Sequence, residues 1–128
     1  IIKKKDILDD YSGFIPVFKT NGESKWSFTK LDEEKNVIEI TEKIPISDYG
    51  IIGLYYFKYF SDFEKIYKEN KQEIIKKYKE TYIAPMYSYL INSNKKIKAK
   101  ILNKEDFVVL GTPGDIISFD ENYLEKNI

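Results

Sequence analysis

Glu42 and Lys43 set a carboxylate and an ammonium on adjacent residues at the end of an apolar strand. Pro45 follows, removing a backbone donor and stopping the pairing there. In that position the acid can accept hydrogen bonds from ligand hydroxyls, and the base can meet a phosphate as a point charge. A plainer reading is also open, in which a solvated strand end carries two unlinked charges. The second candidate is Gly111-Thr112-Pro113-Gly114-Asp115. Thr112 suits a helix N-cap, Pro113 the first helical position, and Asp115 the third, near the positive end of the dipole. Capping accounts for each of these residues; the functional reading turns the same helix end toward an anion or a metal-bound phosphate.

Much chemistry is excluded by composition. There is no histidine and no cysteine, so zinc sites, disulfides and Ser-His or Cys-His catalysis are ruled out within the sequence. All the basic residues are lysine, which removes bidentate guanidinium clamps and leaves any phosphate to lysine or backbone N–H groups. With 21 basic against 21 acidic residues the charges cancel, which argues against a nucleic-acid or membrane-surface partner. The lysine clusters, Lys3 to Lys5, Lys76-Lys77 and Lys95-Lys96, read as solvated faces. No apolar run is long enough to span a bilayer and no signal-peptide pattern is present, so the expected location is cytoplasmic. Gly50-Ile51-Ile52-Gly53 lies in strand territory with no helix after it, so it is not a dinucleotide loop.

A single domain of 128 residues must position these groups, and its 42% hydrophobic content suffices for a core. Asp6 to Tyr11 reads as a helix end closed by Gly13. Phe14 to Phe18 is a short strand that Pro16 marks as edge or irregular. Trp26 to Leu31 and Val37 to Glu42 are strands joined by the polar turn Asp32 to Asn36. After the turn Ser47 to Gly50, the apolar and aromatic run Ile51 to Phe57 is expected to be a strand over 51–58, buried on both faces. Ser61 and Glu64 form a capping-box pattern, with Phe60 at the staple position, opening a helix whose stripe is Phe63, Ile66 and Tyr67. A second helical run covers 71–79. A third starts near Ile83, with Pro85 in its first turn. Ile97 to Leu102 alternates as a strand with one lysine-covered face. Phe107 to Leu110 reads as a short buried strand, and a last helix follows Thr112. The pattern indicates an α/β fold, a partial Rossmann-like mixed sheet with flanking helices.

Taken in order, these residues resemble the C-terminal half of the sugar-phosphate nucleotidyltransferases, the nucleoside-diphosphate-sugar pyrophosphorylase family. Trp26 to Asp32 looks like the strand that borders the sugar, Glu42-Lys43 like the EK pair, and Gly50 to Phe57 like the strand A-x-x-G-x-Y-x-F. Glu80 to Tyr87 looks like the glutamate and helix that follow, and Val109 to Asp115 resembles the GTPED ending of capsule- and surface-polysaccharide members. Pro45 to Asp48 and Lys25 to Ser27 look closest to the capsule branch. The match covers residues 14–120, and the order of the pieces is more specific than any one of them.

The resemblance implies the nucleotide-diphospho-sugar transferase fold and in-line attack of a sugar 1-phosphate, or another phosphorylated acceptor, on a nucleoside triphosphate, releasing pyrophosphate. It implies that Lys43 holds the acceptor phosphate and Glu42 binds hydroxyls. Trp26, Ser27, Gly53 and Tyr55 would wall the pocket, and Glu80 would belong to the substrate-binding set. Positioning and charge neutralisation with Mg²⁺ would carry the rate. Two departures stand out. The family's N-terminal half, with its G-x-G-x-R loop, is missing, and the sequence begins at Ile1 without a Met, so it reads as a piece of something longer. Gly111 occupies the place where many members carry a metal-binding Asp, leaving Asp115 as the metal candidate. Residues 1–128 are therefore expected to be the acceptor-binding half, inactive alone, meeting nucleoside triphosphate through the missing half. Apolar sheet surface exposed on such a half implies a homo-oligomer. The rival reading is a non-catalytic α/β module that binds a phosphorylated ligand or a partner protein.

Overall fold

The computed structural model describes residues 2–4 and 10–122, so most of the helix end expected over Asp6 to Tyr11 lies outside the described residues. Six strands form one mixed sheet: β1 (Gly13–Lys19), β2 (Ser27–Leu31), β3 (Val37–Glu42), β4 (Tyr49–Ile51), β5 (Tyr56–Phe57) and β6 (Ile97–Leu102). Among the described residues three α-helices accompany them, α1 (Phe60–Tyr78), α2 (Met86–Asn92) and α3 (Pro113–Phe119), with a short 3-10 turn at Lys104–Asp106.

β1 is the central strand, which corrects the sequence expectation in two places. Its residues Gly13 to Phe18 are all buried, Pro16 included. β6 pairs with one edge of β1 in parallel, from Gly13↔Ile97 to Phe18↔Leu102. β4 and β5 share the other edge antiparallel, at Val17↔Ile51 and Gly13↔Phe57. Pro16 is tolerated because of where its missing donor falls. Its carbonyl accepts from the Ile52 N–H, so its nitrogen faces the same edge, where β4 has ended and β5 has not begun. The expected continuous strand over 51–58 is thus two short strands and a loop, Ile52 to Tyr55. Gly53, at φ 91°, turns that loop in a conformation that suits glycine.

β2 and β3 form a hairpin in the expected places, and β2 also pairs with β4 through Phe28↔Gly50. Asp32 shapes the hairpin turn: Oδ1 accepts from the N–H of Glu34 and Asn36, and Oδ2 from Asn36 Nδ2. The tip then folds onto the far edge of β6, where Ala99 N–H donates to Lys35 O at 2.9 Å and Lys98 Nζ to Glu34 O at 2.6 Å. The sheet is therefore curled, with one parallel pair and the rest antiparallel.

One face of the sheet carries the core. Ile15, Val17, Ile40, Ile51, Ile97 and Ala99 pack with Ile66 and Ile74 of α1 and with Met86, Tyr87 and Leu90 of α2. Tyr87 is fully buried, its ring stacked on Phe57 at 4.4 Å and its hydroxyl donating to Tyr56 O at 2.8 Å. On the opposite face, Phe18 meets Trp26 and Phe107, each with ring centroids 5.0 Å away.

The helices differ from expectation at their ends. Helix α1 runs unbroken for 19 residues, joining the two runs expected there. No Gly or Pro interrupts Glu69-Asn70-Lys71, and Ile66 and Ile74 keep one buried stripe. Its N-cap is Tyr59 and not Ser61, because Tyr59 is the last extended residue and its carbonyl accepts from Asp62 N–H. Asp62 serves the first turn and bonds Lys95, just before β6, at 2.9 Å. Lys79, left-handed at φ 66°, closes the helix by donating to Ile75 O. α2 begins at Met86, with Pro85 as its N-cap, because Ile83 to Pro85 form a preceding turn. Phe107 to Leu110 is not the expected buried strand: Val108 and Leu110 are exposed, and the segment pairs with no strand among the described residues. Among the described residues, no helix is long and apolar enough to cross a membrane.

Two outcomes follow from this packing. Asp62 is mostly buried, and its Oδ2 has no hydrogen-bond partner among the described residues, so Lys95 carries the compensation for that carboxylate. Lys95→Met should destabilise by about 1–2 kcal/mol, read as a lower urea midpoint at unchanged slope. Burial also raises the Tyr87 and Tyr55 phenols above their ordinary value of 10.0. A raised folded-state value means this stabilisation is complete below pH 10 and is lost as pH rises past it. Alkaline unfolding should therefore accompany the late rise in tyrosinate absorbance, and should not precede it.

Candidate functional site

The site grows from the open end of the β2–β3 hairpin, where Ser27 pairs with Glu42. Both side chains lie on the same sheet face as Val17 and Ile51, toward the helices. Ser27 Oγ donates to Glu42 Oε2 in a short hydrogen bond, and Glu42 is only 7% exposed. Tyr55 completes the group from the loop between β4 and β5. Desolvation raises its phenol most; a hydrogen bond with Ser27 opposes that shift, and the Glu42 charge adds to it. The Tyr55 ring lies 6.0 Å from Tyr87, so the site backs directly onto the core. A buried carboxylate needs donors. Ser27 supplies one to Oε2.

Lys43 is exposed and left-handed, at φ 59°. Its N–H donates to Trp26 O at 2.9 Å, which extends the hairpin by one bond and fixes that backbone. Its Nζ donates to Tyr82 Oη at 3.0 Å and stands 5.1 Å from the Tyr82 ring. This hydrogen bond is the first cause that holds the ammonium above its usual range. The Tyr82 oxygen, when ionised, also raises it; desolvation opposes the shift, and the Glu42 and Glu80 carboxylates each add less than desolvation removes. Glu80 and Tyr82 come from the segment between α1 and α2, so they reach Lys43 only through the tertiary fold.

Of the residues singled out from sequence, the structure brings Ser27, Glu42, Lys43, Tyr55 and Glu80 into one neighbourhood. Trp26 turns to the opposite face. Its ring is edge-on to Phe18, and it lines a separate cavity of about 270 Å³ with Ile52, Phe107, Val108, Val109, Leu110 and Gly111. Successive residues of an extended chain point to opposite faces, which parts Trp26 from Ser27. Gly53 is exposed in the loop that carries Tyr55, with open space around its Cα. Sequence reasoning missed Tyr82; its place directly after Glu80-Thr81 was the one available signal.

Asp115 sits in the capping box of α3. Its Oδ2 accepts from Thr112 N–H at 3.0 Å while its own N–H donates to Thr112 Oγ1 at 3.1 Å. The Asp115 carboxylate, the metal candidate read from the sequence, is thus engaged by the Thr112 backbone N–H. Among the described residues no three acidic, histidine or cysteine side chains gather in a cluster that could hold a metal ion.

A curled mixed sheet with helices packed on one face defines the class: a mixed α/β protein. Among solved structures, a nucleoside-diphosphate-sugar pyrophosphorylase from Vibrio cholerae is similar, with a TM-score of 0.81 and 28% identity. The alignment covers 93% of this chain and 49% of that one, so the chain spans about half the length of that protein. No family model matches, and no curated relative matches. The likeness supports the nucleoside-diphosphate-sugar pyrophosphorylase family and its fold.

The Ser27 contact has a measurable consequence. Ser27→Ala leaves a buried carboxylate short of a donor and should cost about 1–3 kcal/mol. Adding Glu42→Gln to that variant should recover part of the loss, because a neutral amide is cheaper to bury. A double-mutant cycle on the denaturation midpoint checks both.

Proposed function

We propose that this chain is the acceptor-binding half of a nucleotidyltransferase. The enzyme joins a nucleoside triphosphate to a sugar 1-phosphate, or a similar phosphorylated acceptor, and releases pyrophosphate. The product would serve capsule or surface polysaccharide synthesis. The observation that carries this reading is Glu42, buried and fixed by Ser27, beside the exposed and backbone-constrained Lys43. It occurs on a fold similar to that of a nucleoside-diphosphate-sugar pyrophosphorylase.

In this reading Glu42 Oε1 accepts from acceptor hydroxyls and Tyr55 bounds the pocket. Lys43 neutralises the acceptor phosphate and holds its oxygen for in-line attack on the nucleotide's α-phosphorus. Pyrophosphate leaves from the opposite side. Such catalysis is mostly positioning and charge stabilisation, which suits a site without a nucleophile or general base of its own. Nucleotide and Mg²⁺ contacts would come from outside this chain. A second reading has one observation in its favour: Asp115 is engaged in capping and no acidic cluster forms among the described residues. That suits a non-catalytic module that binds a phosphorylated ligand.

Full-length protein should release pyrophosphate from one of CTP, UTP, GTP or dTTP when supplied with its phosphorylated acceptor. Lys43→Ala should lower kcat/KM by roughly tenfold or more, the scale of a lost charge-assisted bond. Binding of a phosphorylated acceptor with no pyrophosphate released across all four nucleotides would favour the module.

A further inference from the structure

Tyr82 is the residue that the Lys43 ammonium touches. Nζ donates to its hydroxyl at 3.0 Å and stands 5.1 Å from the ring centroid, so the phenol oxygen is what engages it. The approach is built from both sides. On one side, the left-handed backbone of Lys43, tied to Trp26 O, sends the side chain toward the segment between α1 and α2. On the other, Lys79 closes α1 in a left-handed cap, and Tyr78 meets Tyr82 edge-on at 6.5 Å. Met86 N–H donates to Ile83 O and shuts the turn that follows. Glu42 and Glu80 are the other charges that face Lys43. An ammonium has three donors, so one bond to Tyr82 leaves two for phosphate oxygens.

We propose that Tyr82 is a positioning residue for phosphate recognition: it pre-orients the Lys43 ammonium, which a bound phosphate then shares with the Tyr82 hydroxyl. The phosphate part of this proposal rests on the acceptor-site reading above. The pre-orientation part does not.

The test is residue-resolved lysine acylation by an N-hydroxysuccinimide ester, read by mass spectrometry on full-length protein, with the other lysines as internal reference. Tyr82→Phe keeps the ring and its edge contact with Tyr78, so the fold is retained. Without phosphate, Lys43 should acylate about two- to fivefold faster in Tyr82→Phe than in the parent protein. The pH dependence of that rate should move to lower pH, because the ammonium loses the main contact that stabilises it. Tyr82→Leu should do at least as much. An unchanged Lys43 rate and pH dependence in both variants overturns the proposal. With inorganic phosphate as probe and sodium chloride as ionic-strength control, Lys43 should be protected in the parent protein and less so in Tyr82→Phe. Equal protection in both overturns the shared-ammonium role. No protection in the parent protein counts against the acceptor-site reading, while the phosphate-free comparison still decides pre-orientation.

Discussion

Pro16 at the centre of the sheet is the constraint on which the site depends. A central strand needs partners on both edges, and a proline cannot donate to one of them. The fold meets this by interrupting the neighbouring strand at that level. β4 ends at Ile51, β5 begins at Tyr56, and the residues between leave the ladder. That loop carries Tyr55 to Ser27 and Glu42. The missing donor in the core strand and the aromatic wall of the site thus share one physical cause. The parallel strand β6 on the other edge keeps full register past Pro16↔Lys100, so the interruption stays on one side.

The site itself centres on a buried acid held by a hydrogen bond from Ser27. Glu42 loses most of its contact with water, and Ser27 and Tyr55 stand where water would otherwise donate. Lys43 differs in every respect: exposed, backbone-constrained and held at its tip. The two neighbours thus differ in how they are held: the acid by burial and Ser27, the cation by its backbone and Tyr82.

Alternation along the first residues of the hairpin divides the molecule's polar and apolar functions. Ser27 faces the helices and the site, while Trp26 faces Phe18 and the segment Phe107 to Gly111. That segment was legible as apolar, but burial does not follow from apolarity alone. Val108 and Leu110 lie exposed because no described strand pairs with the segment. Apolar composition supplies a demand for partners, and only packing shows whether the demand is met.

Local chemistry determined much of this protein from its sequence. The β2–β3 hairpin follows from period-two alternation around a turn whose Asp32 makes the turn's own hydrogen bonds. The α3 cap follows from Thr112, Pro113 and Asp115, three residues whose roles are set within a single turn. Glu42-Lys43 was visible as an adjacent acid and base, because adjacency is a property of the chain. The tertiary structure alone decided which strand is central, since Pro16 reads as an edge signal until the gap opposite its nitrogen is seen. It alone decided that Ser61 caps nothing, because an extended Tyr59 starts the helix earlier. It alone joined Tyr55, Glu80 and Tyr82 to the pair at 42 and 43. Those contacts link residues 12 or more positions apart, and no local spacing rule encodes the closure of so long a loop.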